Sequence, residues 1–337
     1  MIPRESSESV LVIGGAGYIG SVLVRKLLNS GFHVRVLDAL LYDNKIAIAE
    51  LLDHRRFSFV HGDFCEQGVL HRSLENITDV VHLAAMVGDP VCKKYPGHAR
   101  SINDTGTINL IDQLNGRGLG RFVFMSTCSN YGFRDTDAEA VEESELNPQS
   151  LYAETKVRVE RHLLDSLAEL DFSATILRAA TAYGLSPRMR FDLSINEFTR
   201  ELTIGNELLV YDADTWRPYC HVADIAEAVV WVLESPAEAV GGEVFNVGSQ
   251  GENYTKRMIV NLLQKHLPDA RVRFQEARVD PRNYRVCFDK IADRLCFTAS
   301  RLLPGSVAEL VDSIRAGRFS DFKDRRIFYG NYSVRWS

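Results

Sequence analysis

Tyr152 and Lys156 stand four residues apart, and of the twelve tyrosines only Tyr152 has a lysine at that spacing. On a helix, residues i and i+4 share a face. An ammonium group beside a phenol favours phenolate and is expected to lower the tyrosine pKa from about 10. Such a phenol can take a proton from a hydroxyl while hydride leaves the same carbon. That chemistry needs a hydride acceptor, and a second motif offers a place for one. Gly14-Gly15-Ala16-Gly17-Tyr18-Ile19-Gly20 contains the G-x-G-x-x-G spacing. Glycines there let the backbone turn tightly and approach a pyrophosphate, with a helix N-terminus facing the negative charge. Asp38 follows Gly20 by eighteen residues. A carboxylate at that distance accepts hydrogen bonds from ribose hydroxyls and repels a 2′-phosphate. Ala39-Leu40-Leu41 offers no arginine to hold such a phosphate. The expected cofactor is therefore NAD rather than NADP. Asp63 either meets the adenine edge or caps a turn, with Phe64 beside it.

These residues need elements to position them. Val10–Ile13 is a short apolar strand before the glycine turn, and Ile19, Val22, Leu23, Leu27 and Leu28 repeat with helical spacing after it. Residues 33–38, 57–60, 80–83, 121–125 and 174–178 read as further strands, with helical patterns between them. Strands alternating with helices indicate a parallel sheet covered on both faces. The regularity breaks near residue 184, where Pro187 and Arg188-Met189-Arg190 mark a loop. Beyond it, residues 208–211, 244–246 and 272–274 look like short strands, and 221–233 and 255–267 look helical. The fold class is α/β: a Rossmann-type doubly wound sheet over residues 1–184, joined partly by about 218–250. A smaller mixed domain spans 185–337. The aromatic C-terminal stretch, with Phe319, Phe322, Phe328, Tyr329, Tyr332 and Trp336, either packs back on the body or covers a partner.

Composition narrows the function further. The 337 residues are 45% hydrophobic and 25% charged, ordinary for a soluble globular protein. No apolar run approaches the ~18 residues of a membrane span. The polar, acidic start at Met1–Ser9 is unlike a secretory leader, so a cytoplasmic location is expected. With 39 Lys plus Arg against 45 Asp plus Glu, the net charge is −6. A nucleic-acid surface would need a basic excess. The six cysteines form no Cys-x-x-Cys pair and suit neither zinc nor a disulfide framework. No metal site is expected, and Cys128 alone draws chemical interest.

Gly14-x-x-Gly17-x-x-Gly20, Asp38, Gly62-Asp63, His82-Leu83-Ala84-Ala85, Ser126-Thr127, Tyr131-Gly132, Tyr152-x-x-x-Lys156 and Arg217 occur in one order. In that order the chain resembles the extended short-chain dehydrogenase/reductases, specifically the nucleoside-diphosphate-sugar epimerases and dehydratases, over about residues 10–316. The resemblance implies that Ala84 and Ala85 pass the cofactor ribose and that Asn103 is mainly structural. Thr127 would hold the sugar oxygen being oxidised. Tyr152 would be the acid/base, with Lys156 its partner and a nicotinamide-ribose contact. Arg217 would clamp the substrate diphosphate, with Arg282 as a second phosphate or nucleoside contact and Arg188 and Arg190 as further candidates. The resemblance also implies a homodimer, through helices near 98–116 and 150–169 carrying Ile108, Leu110, Ile111, Leu114, Val157 and Leu163.

Three departures bear on the reaction. Dehydratases of the resembled group follow the Thr with an Asp-Glu pair, where this chain has Cys128 and Ser129. Thr181 stands where an Asn is usual, which changes a substrate hydrogen bond. Asp89 either forms a turn before Pro90 or contacts the sugar. The expected activity is NAD-dependent epimerisation of a nucleoside-diphosphate sugar through transient oxidation at C4. A 4-keto-sugar reductase, and a dehydratase or C3/C5 epimerase using Cys128 for proton transfer, remain open. So does a non-catalytic dinucleotide-binding or RNA-binding protein.

Overall fold

The computed structural model describes residues 8–134, 138–277 and 282–336. Twelve strands run in chain order: β1 (Ser9–Ile13), β2 (His33–Asp38), β3 (Phe57–His61), β4 (Asp79–His82), β5 (Arg121–Thr127), β6 (Ser173–Ala179), β7 (Thr181–Tyr183), β8 (Leu208–Tyr211), β9 (Trp216–His221), β10 (Val244–Val247), β11 (Asn253–Thr255) and β12 (Val272–Gln275). Seven of them form one sheet in the order β3-β2-β1-β4-β5-β6-β10. Every pairing in it is parallel. The order reverses between β1 and β4, which opens a crevice beyond the carboxyl ends of these strands.

Strand alternation builds the two cores. Val10, Val12, Val123 and Met125 face one layer, while Leu11, Ile13, Phe122 and Phe124 face the other. Successive side chains on a strand point to opposite faces, so a strand buried on both reads as a continuous apolar run. The first layer contains Leu23, Val24 and Leu27 of helix Tyr18–Asn29, with Ile225 and Val229 of helix Val222–Glu234. The second contains Leu110 and Leu114 of helix Thr107–Leu114, with Val159 and Leu163 of helix Leu151–Ser166. No helix of the described residues is long and apolar enough to cross a membrane.

β10 pairs with β6 and forms the sheet's far edge. The mixed region consists of β11-β9-β7 and β12-β8 around Tyr183, Ile195, Phe198, Val210 and Leu263. The aromatic C-terminus packs back on the body. Phe319, Phe328 and Tyr329 bury against Met189, Phe191 and Tyr18. Beyond them, the Arg335 N–H donates to the Leu41 carbonyl at 2.9 Å, and Trp336 stacks 4.1 Å from His98.

Leu110, Ile111, Leu114, Val157 and Leu163 are buried within the chain itself. The same helices carry polar contacts instead, such as Arg158 with Asp104 at 3.2 Å and His162 with Asp112 at 3.0 Å.

Candidate active site

A cleft of about 670 Å³ lies at the carboxyl ends of the sheet strands and extends into the smaller region. Its volume suits a cofactor or ligand site. Among the expected site residues, every one but Cys128 lines it.

The glycine turn forms one wall. Gly14 has φ +87°, and a Cβ there would lie 2.7 Å from the Ala84 backbone nitrogen. A Cβ on Gly20 would lie 2.3 Å from the Gly14 carbonyl oxygen. Both positions exclude a side chain on steric grounds. Gly17 differs: its Cβ would meet only the Gly14 oxygen, at 3.2 Å, so it would fill the cradle over the turn. The first helical hydrogen bond runs from the Ser21 N–H to the Gly17 carbonyl at 2.9 Å. The N–H groups of Tyr18, Ile19 and Gly20 therefore have no acceptor within the helix. An open cradle, helix-end donors and Asp38 at the end of β2 fit a dinucleotide. Asp38 accepts from Ala16 N–H at 3.0 Å and Leu40 N–H at 2.8 Å, and burial raises its pKa. Asp63 caps its turn, accepting from the Cys65 N–H at 2.9 Å, while still lining the cleft. Phe64, Ala84 and Ala85 continue this wall. Asn103 brackets Met86, accepting from its N–H at 2.7 Å and donating to its carbonyl at 2.9 Å. That clamp fixes the loop after β4.

The chemical centre lies where β5 meets helix Leu151–Ser166. Ser150 caps that helix, accepting from the Ala153 N–H at 3.3 Å, and so sets Tyr152 in its first turn. Thr127 ends β5 and accepts from the Ser129 N–H at 3.1 Å. That bond uses its oxygen as acceptor and leaves its own proton to donate. Lys156 donates to the Met125 carbonyl at 2.8 Å, and its Nζ lies 4.5 Å from the Phe124 ring centroid and 6.0 Å from that of Tyr152.

The electrostatics differ from the expected pairing. Burial pushes the Tyr152 phenol up, and the charge that opposes this is Arg190 rather than Lys156. Burial lowers Lys156 to about 7, with Glu160 pulling the other way. Arg190 is itself held by Asp192, with bonds of 3.1 and 2.6 Å, so it acts on the phenol as half of an ion pair. It still lines the cleft.

Lys156 also yields a pH prediction. Its folded pKa of about 7 lies below the unfolded value of about 10.4. Between those values the unfolded chain binds the proton that the folded chain has released. This group therefore adds stability as pH rises from 7 towards 10. Lys156→Met is expected to melt above wild type at pH 6.5, with the gap closing towards pH 9.5. A constant gap in thermal denaturation would show that the lysine titrates normally.

Cys128 requires a correction. It is buried in the core and lies outside the cleft lining, and its Sγ donates to the Arg178 carbonyl at 3.1 Å. Burial also raises its pKa. A protonated thiol turned to the strand behind it is no proton-transfer group for a ligand in the cleft. Ser129 lines the cleft, as does Thr181 at the start of β7.

On the far side, Arg217 of β9 donates to the Trp216 carbonyl at 2.7 Å and lies over the Tyr284 ring. Arg282 pairs with Asp89 at 3.0 Å, which joins the loop after β4 to the smaller region. Asp89 thus opens helix Asp89–Lys94 and holds an arginine. Sequence reasoning missed Tyr42, Asn44, Asn331 and Tyr332, all of which line the cleft. Asn44 donates to the Ala16 carbonyl at 2.9 Å, and Asn331 to the Val87 carbonyl at 2.8 Å. Both contacts join segments remote in sequence, and no local spacing signals them.

The NAD-dependent epimerase/dehydratase family model matches residues 10–248. The chain belongs to the NAD-dependent epimerase/dehydratase family. Its relatives include a dTDP-glucose 4,6-dehydratase of Actinoplanes sp., 29% identical and aligned over 92% of this chain and 98% of the relative. A UDP-glucose 4-epimerase of Corynebacterium glutamicum is 31% identical, over 76% of this chain and 79% of its own. Among solved structures, a UDP-glucuronic acid 4-epimerase from Bacillus cereus with UDP-glucuronic acid and NAD superposes with a TM-score of 0.83 at 26% identity, covering 91% of this chain and 99% of that one. A dTDP-glucose 4,6-dehydratase from Streptomyces venezuelae with NAD bound also reaches 0.83, at 28% identity, covering 92% and 98%. Membership in this family makes NAD the cofactor, in agreement with the cradle and Asp38.

Proposed function

We propose that this epimerase/dehydratase-family chain inverts C4 of a nucleoside-diphosphate sugar. The observation that carries the reading is the pair after Thr127. Cys128 and Ser129 stand where dehydratases of the resembled group place Asp and Glu, and Cys128 lies outside the cleft. Neither residue is a carboxylic acid able to remove a C5 proton or to protonate a leaving hydroxyl.

NAD, when bound, supplies reversible hydride acceptance. The chain supplies the rest. Tyr152 takes the proton of the C4 hydroxyl and later returns one to the same oxygen, a general-base and then general-acid role. Thr127 donates its hydroxyl proton to that oxygen and so holds it against the phenol. Arg190 opposes the effect of burial on Tyr152 and makes the phenolate easier to form. Arg217 and Arg282 reach the part of the cleft where a diphosphate would lie, and guanidinium forks suit phosphate oxygens. Thr181 would contact the sugar with a hydroxyl where an amide is usual.

The test is turnover of a panel of nucleoside-diphosphate hexoses in heavy water. The expected product is a C4 epimer with no deuterium on carbon, because the same hydride returns. Cys128→Ser is expected to keep at least about half of wild-type activity, since a conservative change outside the cleft leaves the reacting groups in place. Deuterium at a ring carbon or C6, or loss of the oxygen at C6, would replace this reading with proton transfer at C3 or C5, or with dehydration. Net consumption of reduced cofactor would replace it with a reductase.

A further inference from the structure

The loop between β7 and helix Ser194–Thr203 docks on the first turn of helix Tyr18–Asn29. Ser186 Oγ donates to the Tyr18 carbonyl at 2.8 Å, and the Tyr18 hydroxyl donates to the Gly184 carbonyl at 2.6 Å. The Arg188 N–H donates to Ser186 Oγ at 3.3 Å, so the backbone of Arg188 is fixed beside the glycine turn. Its side chain is 2% exposed, lines the cleft, and lies 4.6 Å from the Tyr42 ring centroid. Among the described residues its Nε and Nη2, both buried, have no hydrogen-bond partner.

A buried guanidinium with unmade hydrogen bonds is costly to the fold. The nearby carboxylates favour its charge but make no hydrogen bond to these donors. The oxygens of Asp38 are occupied by the N–H groups of Ala16 and Leu40. Asp192 is taken by Arg190. Burial and then the Arg190 charge act against the charged form of Arg188 and outweigh Asp192, Tyr42 and Asp38, lowering it to about 10. The cost is explained if the side chain serves an anion that enters the cleft. On a dinucleotide whose ribose meets Asp38, the groups next to the helix N-terminus are the two phosphates. A guanidinium over the Tyr42 ring, on a loop pinned to the first turn of that helix, is positioned for them.

We infer that Arg188 is a ligand of the NAD pyrophosphate, reaching it from the smaller region's loop. The binding site is then completed from two parts of the chain.

Arg188→Met tests this by binding and melting rather than turnover. Affinities for NAD, NADP, ADP-ribose and UDP are measured by calorimetry, with NAD content per chain determined on purification. Affinity for NAD and ADP-ribose is expected to fall at least tenfold. NADP should weaken by the same factor, and UDP should be unchanged. The cofactor-free protein should melt at or above the wild-type temperature, because a costly buried charge has gone, while the rise produced by NAD shrinks. Weakening of NADP alone would assign Arg188 to a 2′-phosphate. Weakening of UDP alone would assign it to the substrate diphosphate. A lower melting temperature with unchanged NAD affinity would make it a structural residue. Each of these overturns the inference. If the Met variant does not fold, Arg188→Lys keeps the charge but loses the fork. It should weaken NAD severalfold, and unchanged affinity there would also overturn the assignment.

Discussion

Tyr152→Phe is expected to lower turnover by at least about 100-fold, or ~2.7 kcal/mol in the barrier. The change removes one oxygen and keeps the ring, which packs against the cluster of Met86, Val91, Cys92 and Ala99. Among the described residues the helix is capped by Ser150 rather than by the Tyr152 hydroxyl, so the melting temperature should hold. Substrate affinity should change little, and kcat and kcat/KM should fall together, the pattern of an interaction made in the transition state. The phenol is raised by burial rather than lowered by Lys156, so the base must be made in place, with Arg190 opposing the burial effect. Steady-state kinetics with the preferred sugar nucleotide decides this. Full activity in the Phe variant would remove every redox reading of the cleft, and the epimerase proposal with them.

The parts of the fold that were legible are those in which chemistry and periodicity coincide locally. β1 to β6 are apolar runs or alternations, and the helices between them repeat at helical spacing. The glycine turn, Asp38, Thr127 and the Tyr152–Lys156 spacing lie within or just after such elements, so sequence order placed them on one sheet edge. β9 was hidden because Pro218 sits in its middle, and a proline within a strand pattern argues against a strand. It survives in a small sheet whose partner β11 is only three residues long. β7 and β11 are too short to show a period. Val244–Val247 was legible as a strand, but its partner was not, because β6 lies more than sixty residues away in sequence.

Side-chain direction was the harder part of the site. Cys128 follows Thr127 but opens the short 3-10 turn Cys128–Tyr131, which ends the strand's alternation and turns the thiol into the core that holds Val123 and Met125. The hydroxyl therefore reaches the cleft and the thiol reaches Arg178. Arg188 and Arg190 look alike in the sequence as a basic loop, yet one ends with open donors and the other against Asp192. The difference arises from contacts with Tyr18 and Tyr42, far away in the chain. The C-terminal tail followed the same logic. Its aromatic residues predict burial somewhere, and only the folded chain shows Asn331 and Tyr332 arriving at the cleft.

Behind Thr127 lies a buried charge pair whose removal should destabilise the chain more than any other change considered. Glu160 is 1% exposed and Arg178 is 4% exposed. Arg178 Nη2 donates to Glu160 Oε2 at 2.7 Å and its Nε to the same oxygen at 3.1 Å. Asn130 Nδ2 donates to Glu160 Oε1 at 2.8 Å, and the Ser126 hydroxyl donates to the same oxygen. Arg178 Nη1 donates to the Tyr131 hydroxyl at 3.0 Å and to the Glu142 carbonyl at 2.8 Å. Glu160→Gln keeps the shape, cancels the negative charge and turns an amide towards donors. The guanidinium is left buried without compensation, and breaking such a pair costs about 3–5 kcal/mol. That is a large part of the ~5–15 kcal/mol typical of a folded domain. The loss should appear as a lower urea midpoint at fixed NAD concentration. A pair also predicts non-additivity: Glu160→Leu with Arg178→Met removes both charges and should cost less than the two single changes summed. Strict additivity would show that the two side chains are stabilised separately. The fold would then hold Ser126 and Thr127 in place through the backbone of β5 alone.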